Sequence, residues 1–178
     1  MQIKQTKFKE CFLVKPKIFN DVRGQFFETF RLNVFEKYIG TELNFVQHSH
    51  SSSIKGVIRG LHYQKNNPQG KLIRVVRGEI FDVAVDIRKS SKNFGKWIGI
   101  YLSEKNCNQL WIPPGFAHGF CVTSNKAYIT YRLTDYFEEN DSYIINWNDP
   151  DININWPTNK PIISEKDNTA PFLRDIQN

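Results

Sequence analysis

The sequence has little cysteine: Cys11, Cys107 and Cys121 stand far apart and are odd in number. No CxxC pair occurs, so neither a zinc knuckle nor a disulfide framework is indicated. No apolar run approaches membrane-spanning length, which leaves no membrane partner. The opening stretch "MQIKQTKFKECFLVKPKIF" has no long apolar core followed by a small-residue cleavage site. A cytoplasmic chain with reduced thiols is the expectation. Motifs for reading RNA or DNA and dense Lys/Arg blocks are also missing, so no nucleic-acid partner is expected. Without an internal repeat, a low-complexity tract or a Gly/Ser/Pro linker, residues 1–178 read as one domain.

What is present is a surplus of cations, 24 Lys and Arg against 18 Asp and Glu, giving a formal charge of +6. Such a field suits small phosphorylated or acidic ligands. Aromatics make up 14% of the chain, which suits large side chains packed between sheets. Phe81, Val83, Val85 and Ile87 alternate with Asp82, Ala84 and Asp86, the period of a half-buried strand. Leu72–Val76 reads as a second strand, joined to the first by a hairpin-like "RGE" at Arg77–Glu79. Trp97–Leu102, Gln109–Ile112, Phe120–Val122 and Tyr128–Leu133 continue the series. One short helix is expected at Leu32–Tyr38, with Leu32, Phe35 and Ile39 near helical spacing. Regularly spaced short strands indicate a sandwich or small barrel. The tail from Asp149 should wrap over the core, because Ile152, Ile154, Trp156 and Ile162 need burial.

The stretch "GVIRGLHYQ", Gly56–Gln64, reads like a strand and leaves His62 as a core filler, a metal ligand or a base. Metal-binding cupins carry an HxH pair, a downstream Glu and a later His. "PPGFAHGF" has the later half, with Pro113, Gly115 and His118 at P-x-G-x-x-H spacing. The earlier half fails, because Tyr63 and Gln64 follow His62. Two histidines with no third ligand at a recognisable spacing make a poor metal site. His62 is then either a hydrogen-bonded core residue or a base that removes a proton next to a ketone. Six cations lie between Lys55 and Arg77 with no acid (Lys55, Arg59, Lys65, Lys71, Arg74, Arg77), as an anion site for a pyrophosphate would need. On a regular strand Arg59 and His62 point to opposite faces, and a bulge at Gly60 could bring them together. Tyr131 should point inward with Ile129 and Leu133, as a core tyrosine or as a proton donor. Asp167, in "SEKD", reads locally as a polar loop residue.

The blocks "DVRGQFFETF", "NFVQ", "GVIRGLHYQ", "GKLIRVVRGEIFDVAVDIR", "SSKNFGKW", "WIPPGFAHGF", "YRLTDYF", "WNDPDININWP" and "SEKD" follow one another in order. In this the chain resembles the dTDP-4-dehydrorhamnose 3,5-epimerase family over nearly its whole length. The resemblance implies an all-β, cupin-like jelly roll (a double-stranded β-helix) with a short N-terminal helix and a C-terminal wrap, a homodimer needing no cofactor or metal. It implies a dTDP-linked 4-keto-6-deoxy sugar as substrate, inverted at C3 and C5, in the supply of deoxysugar for surface polysaccharide. His62 would be the base, oriented by Asp167, with Tyr131 as the acid on the other face and Lys71 at the enolate oxygen. Arg59 and Arg23 would hold the pyrophosphate. Arg23, Phe26 and Glu28 would reach over from the other subunit, and Gln47 and His118 would contact the ligand. The chain departs from the family pattern at Ser49, where Asn is usual in the ligand-contacting stretch, at Phe137 for Tyr, and at Ser142 for Glu. The competing readings are a single-centre 3- or 5-epimerase, a metal-dependent cupin oxygenase and a non-catalytic sugar-nucleotide binding module.

Overall fold

The computed structural model describes residues 1–40 and 42–176. Strands run in the order β1 (Gln2–Gln5), β2 (Phe12–Lys15), β3 (Ile18–Asp21), β4 (Gly24–Phe27), β5 (Gln47–Ile54), β6 (Ile58–Gln64) and β7 (Lys71–Arg77). They continue as β8 (Glu79–Asp86), β9 (Trp97–Ser103), β10 (Gln109–Ile112), β11 (Phe116–Val122), β12 (Lys126–Leu133) and β13 (Ser142–Ile144). Helix α1 (Leu32–Ile39) follows β4, and a one-turn helix α2 (Glu165–Asn168) lies in the tail. A six-stranded sheet in the order β1-β2-β10-β7-β12-β5 faces a five-stranded sheet in the order β13-β6-β11-β8-β9, while β3 and β4 form a separate two-stranded sheet. This is the jelly roll that the resemblance implies, and it agrees with the sandwich or small barrel expected from the strand spacing.

Three apolar layers hold the sheets. Between them lie Ile73, Ile80, Ala84, Leu102, Leu110, Phe120 and Ile129, among others. Outside the six-stranded sheet α1 lays Phe35 among Phe12, Val14, Leu72 and Trp111. Its last turn is closed by Gly40, in the left-handed conformation at φ 76°, whose N–H donates to the Glu36 carbonyl. Leu32, expected on the apolar stripe, is exposed. Outside the five-stranded sheet the C-terminal tail covers Leu61, Val83, Val85 and Ala117 with Ile152, Ile154 and Trp156. The expected wrap is therefore present, although Ile162 is exposed.

Two strand readings need correction. The turn at Gly78 (φ 84°) does not close a hairpin, since β7 pairs with β10 and β12 whereas β8 pairs with β11 and β9. It carries the chain from one sheet to the other. Nor is β8 half-buried with its acids in solvent. The tail covers Val83 and Val85, so the face carrying Ile80, Asp82 and Ala84 looks inward and Asp82 is 0% exposed.

No helix among the described residues is long and apolar enough to cross a membrane.

Candidate active site

A cavity of about 960 Å³ opens at the end of the sandwich where β5, β6, β12 and β13 meet the loop after β12 and the tail around α2. His62, Arg59, Lys71, Tyr131, Asp167, Gln47, Ser49 and His118 all line it. Arg59 and His62 share this wall because the β6–β11 register slips between His118 and Phe120, at the bulge expected near Gly60. Gly60 has φ 131°, and a Cβ there would lie 2.5 Å from the Gly119 Cα, so only glycine lets β6 and β11 approach this closely.

His62 and His118 are direct cross-strand partners on β6 and β11, and each spends Nε2 on a carboxylate. Asp167 Oδ1 lies 2.8 Å from His62 Nε2, and its Oδ2 accepts the Gly60 N–H at 3.2 Å. Ser164 caps α2 by accepting the Asp167 N–H. In a reciprocal capping box the Asp167 carboxylate would reach back to the Ser164 backbone N–H. Here it turns across to β6 instead. Burial alone pushes this carboxyl up. The bonds from His62, Gly60 and Ser164 outweigh that and hold it below the usual carboxylate range. An ionised Asp167 accepts only, so His62 carries its proton on Nε2 and keeps the Nδ1 lone pair unshared.

Asp82 Oδ1 lies 2.7 Å from His118 Nε2, while Oδ2 is buried and finds no partner among the described residues. Burial pushes the Asp82 carboxyl up, and His118 and Lys71 offset this only in part. The Lys71 ammonium donates to the His62 carbonyl at 3.3 Å. Burial lowers its pKa to about 8 against the opposing pull of Asp82. Tyr131 comes from the opposite sheet, as its alternation with Ile129 and Leu133 implies. Its hydroxyl is 2.8 Å from Ser51 Oγ and its ring stands edge-on to His118. Burial pushes the phenol up, the Ser51 bond relieving this only partly, so it stays protonated at neutral pH.

Arg59 is held by the Ser53 hydroxyl at 3.0 Å. Gln47 accepts the Phe137 N–H, which sets that ring at the cavity mouth. Of the six cations between Lys55 and Arg77, only Arg59 and Lys71 line the cavity. Arg74 stacks instead on Phe27. Arg23, Phe26 and Glu28 are not brought to this cavity. They sit on and just beyond the β3–β4 hairpin, with Arg23 paired to Asp21, Glu28 paired to Arg31, and Phe26 exposed.

Sequence reasoning missed Asp82 and the lining residues Tyr63 and Lys166. An acid between Ile80 and Ala84 on one face was the available signal for Asp82. Lys166 carried one too, as the neighbour of Asp167. Among the described residues no group of three His, Cys, Asp or Glu side chains is placed to hold a metal ion.

The two sheets of this cupin-like jelly roll bring an imidazole held by a carboxylate, a buried ammonium and a protonated phenol to one open cavity. Residues 5–175 match the family model described as dTDP-4-dehydrorhamnose 3,5-epimerase. The Shigella flexneri dTDP-4-dehydrorhamnose 3,5-epimerase is 51% identical over 168 residues, 94% of this chain and 93% of that protein. The crystal structure of dTDP-6-deoxy-D-glucose-3,5-epimerase from Legionella pneumophila, in complex with dTDP-4-keto-L-rhamnose, superposes with a TM-score of 0.96 at 45% identity, covering 99% of this chain and 94% of that one. A dTDP-4-dehydrorhamnose 3-epimerase from Streptomyces niveus is 30% identical over 178 residues, 99% of this chain and 86% of that protein. The chain belongs to the dTDP-4-dehydrorhamnose 3,5-epimerase family and is an isomerase, a sugar epimerase of the 3,5 kind.

Proposed function

We propose that the substrate is dTDP-4-dehydro-6-deoxy-D-glucose, inverted at C3 and C5 to dTDP-4-dehydro-L-rhamnose for a deoxysugar destined for surface polysaccharide. The observation that carries the reading is the opposed placement of His62 on one sheet and Tyr131 on the other, across a single cavity. His62 Nδ1 removes the proton on the carbon beside the C4 ketone, and the electron pair moves onto O4. Asp167 steadies the imidazolium that forms. The Lys71 ammonium stabilises the enolate oxygen. Tyr131 then protonates the carbon from the other face, and solvent restores both groups. Arg59 and Arg23 hold the pyrophosphate, while Gln47, Ser49 and His118 contact the ligand.

In this reading the enzyme is a homodimer. The β3–β4 hairpin, with exposed Phe19, Val22 and Phe26, carries Arg23, Phe26 and Glu28 to the partner's cavity. The three cysteines are free and buried, which suits a reducing cytoplasm.

Incubation with the 4-keto sugar in deuterated water tests the reaction. Deuterium at both C3 and C5 of the inverted product is expected. Incorporation at one carbon would instead make this a single-centre epimerase like the 3-epimerase relative, and none at all would leave a binding module.

A further inference from the structure

The Asp167 carboxylate comes from a tail segment, yet it must hold a 2.8 Å bond to the His62 ring on β6. Two staples hold that tail to β6. Ahead of Asp167, Ile162 exchanges backbone hydrogen bonds with Gly56 and Ile58. Behind it stands Asn146, just after Ile145, whose backbone pairs with Leu61 beside His62. Every polar group of Asn146 is used. Its side-chain amide donates to the Asn168 and Ala170 carbonyls, both at 3.1 Å, and its backbone N–H donates to the Pro171 carbonyl at 2.9 Å. Its Oδ1 accepts the Asn148 N–H and its carbonyl accepts the Asp149 N–H. Two carbonyls gripped by one amide fix which side-chain atom is nitrogen. Asn146 is buried and does not line the cavity.

We infer that Asn146 is a positioning residue for catalysis, a bracket that sets the Asp167 carboxylate against His62 by gripping the residues just after it. The inference rests on the His62–Asp167 reading above. A one-turn helix has too few internal bonds to fix its own place, so side-chain aim at Asp167 depends on these staples. The Ile162 staple is backbone only. The Asn146 amide is therefore the main part of the clamp that a substitution can remove, beside a longer bond from the Trp147 Nε1–H to Asn168 Oδ1 at 3.4 Å.

The test is a double-mutant cycle on the full chain. Asn146→Ala should lower kcat roughly tenfold through misplacement of the oriented base, with KM and the affinity for dTDP within about twofold. In an Asp167→Ala background the same substitution should lower kcat less than about twofold, because the group it aims is already gone. Asn146→Asp, of equal size, keeps the bond to Asn148 but turns acceptors on two carbonyls, and should follow the same pattern. Equal losses in both backgrounds, or an unchanged kcat in Asn146→Ala, would overturn the bracket. So would failure of both variants to fold and bind dTDP, which would make Asn146 a residue of the fold at large. An Asp167→Ala enzyme with unchanged kcat would sink the dyad itself and the bracket with it, a result separable from failure of the bracket alone.

Discussion

Two histidine–aspartate pairs stand side by side on neighbouring strands, with nearly equal bond lengths and opposite surroundings. In the first, His62 is 41% exposed and leans on a carboxylate held ionised by three donors. In the second, His118 is 6% exposed against an Asp82 that is fully buried, pushed toward neutrality, and left with one oxygen unpartnered. An exposed imidazole with an ionised partner can collect a proton and release it to solvent. A sealed one cannot exchange as freely, and suits holding a fixed polar surface beside Lys71 and Tyr131. In the proposed mechanism the choice between the two histidines as base therefore turns on access and the charge of the partner, not on residue type.

Substitutions at and around the two pairs should have unequal effects. Short of removing the proposed base itself, the largest effect is expected at the proposed acid, Tyr131, which stands beside the sealed pair. Tyr131→Phe should still wash deuterium into the sugar through His62, yet form roughly 100-fold less inverted product, in line with loss of one acid–base group. Nuclear magnetic resonance of the sugar reads both quantities, and inversion at the wild-type rate would assign the acid elsewhere. Next come the two carboxylates, compared by chemical unfolding. Asp82→Ala removes half of a buried pair and should cost about 3 kcal/mol. Asp167→Ala should cost about 1 kcal/mol, because solvent can take over its bond to the exposed His62, and its larger effect should fall on kcat. Equal destabilisation would erase the distinction drawn between the pairs. A third test uses pH. The Lys71 ammonium, its pKa lowered to about 8 by burial, is charged below that pH and neutral above it. kcat should fall as pH rises through this range while dTDP affinity stays level, and Lys71→Ala should flatten that limb. The smallest effect is expected at Arg59→Ala, with dTDP binding roughly tenfold weaker by titration calorimetry, the scale of one charged hydrogen bond, and little change in kcat.

Most of the sandwich was legible because its strands pack apolar side chains on at least one face. Gln109–Ile112 and the helix near Leu32–Tyr38 were found almost to the residue. β5, "QHSHSSSI", was not, because its inward residues Ser49, Ser51 and Ser53 meet the cavity, Tyr131 and Arg59 rather than the apolar core. A strand that lines a polar site loses the alternation by which strands are recognised. Asp82 was misjudged for a related reason. Alternation gives two faces but not which one meets solvent, and here the tail covers the apolar face. The residues proposed for the site on β6, β7, β11 and β12, which line one cavity, were named from the family resemblance and from the one-signed charge of Lys55–Arg77. Asp167 could not come from local pattern, since what brings it to His62 is a contact 105 residues away.

The most direct measurement is solvent deuterium exchange at C3 and C5, with His62→Ala and His118→Ala compared under saturating sugar nucleotide. If the exposed pair supplies the base, His62→Ala loses exchange at both carbons by about 10³-fold while still binding dTDP, and His118→Ala retains it at a reduced rate. Exchange at the wild-type rate in His62→Ala, or its complete loss only in His118→Ala, would contradict the assignment and make the sealed pair the base.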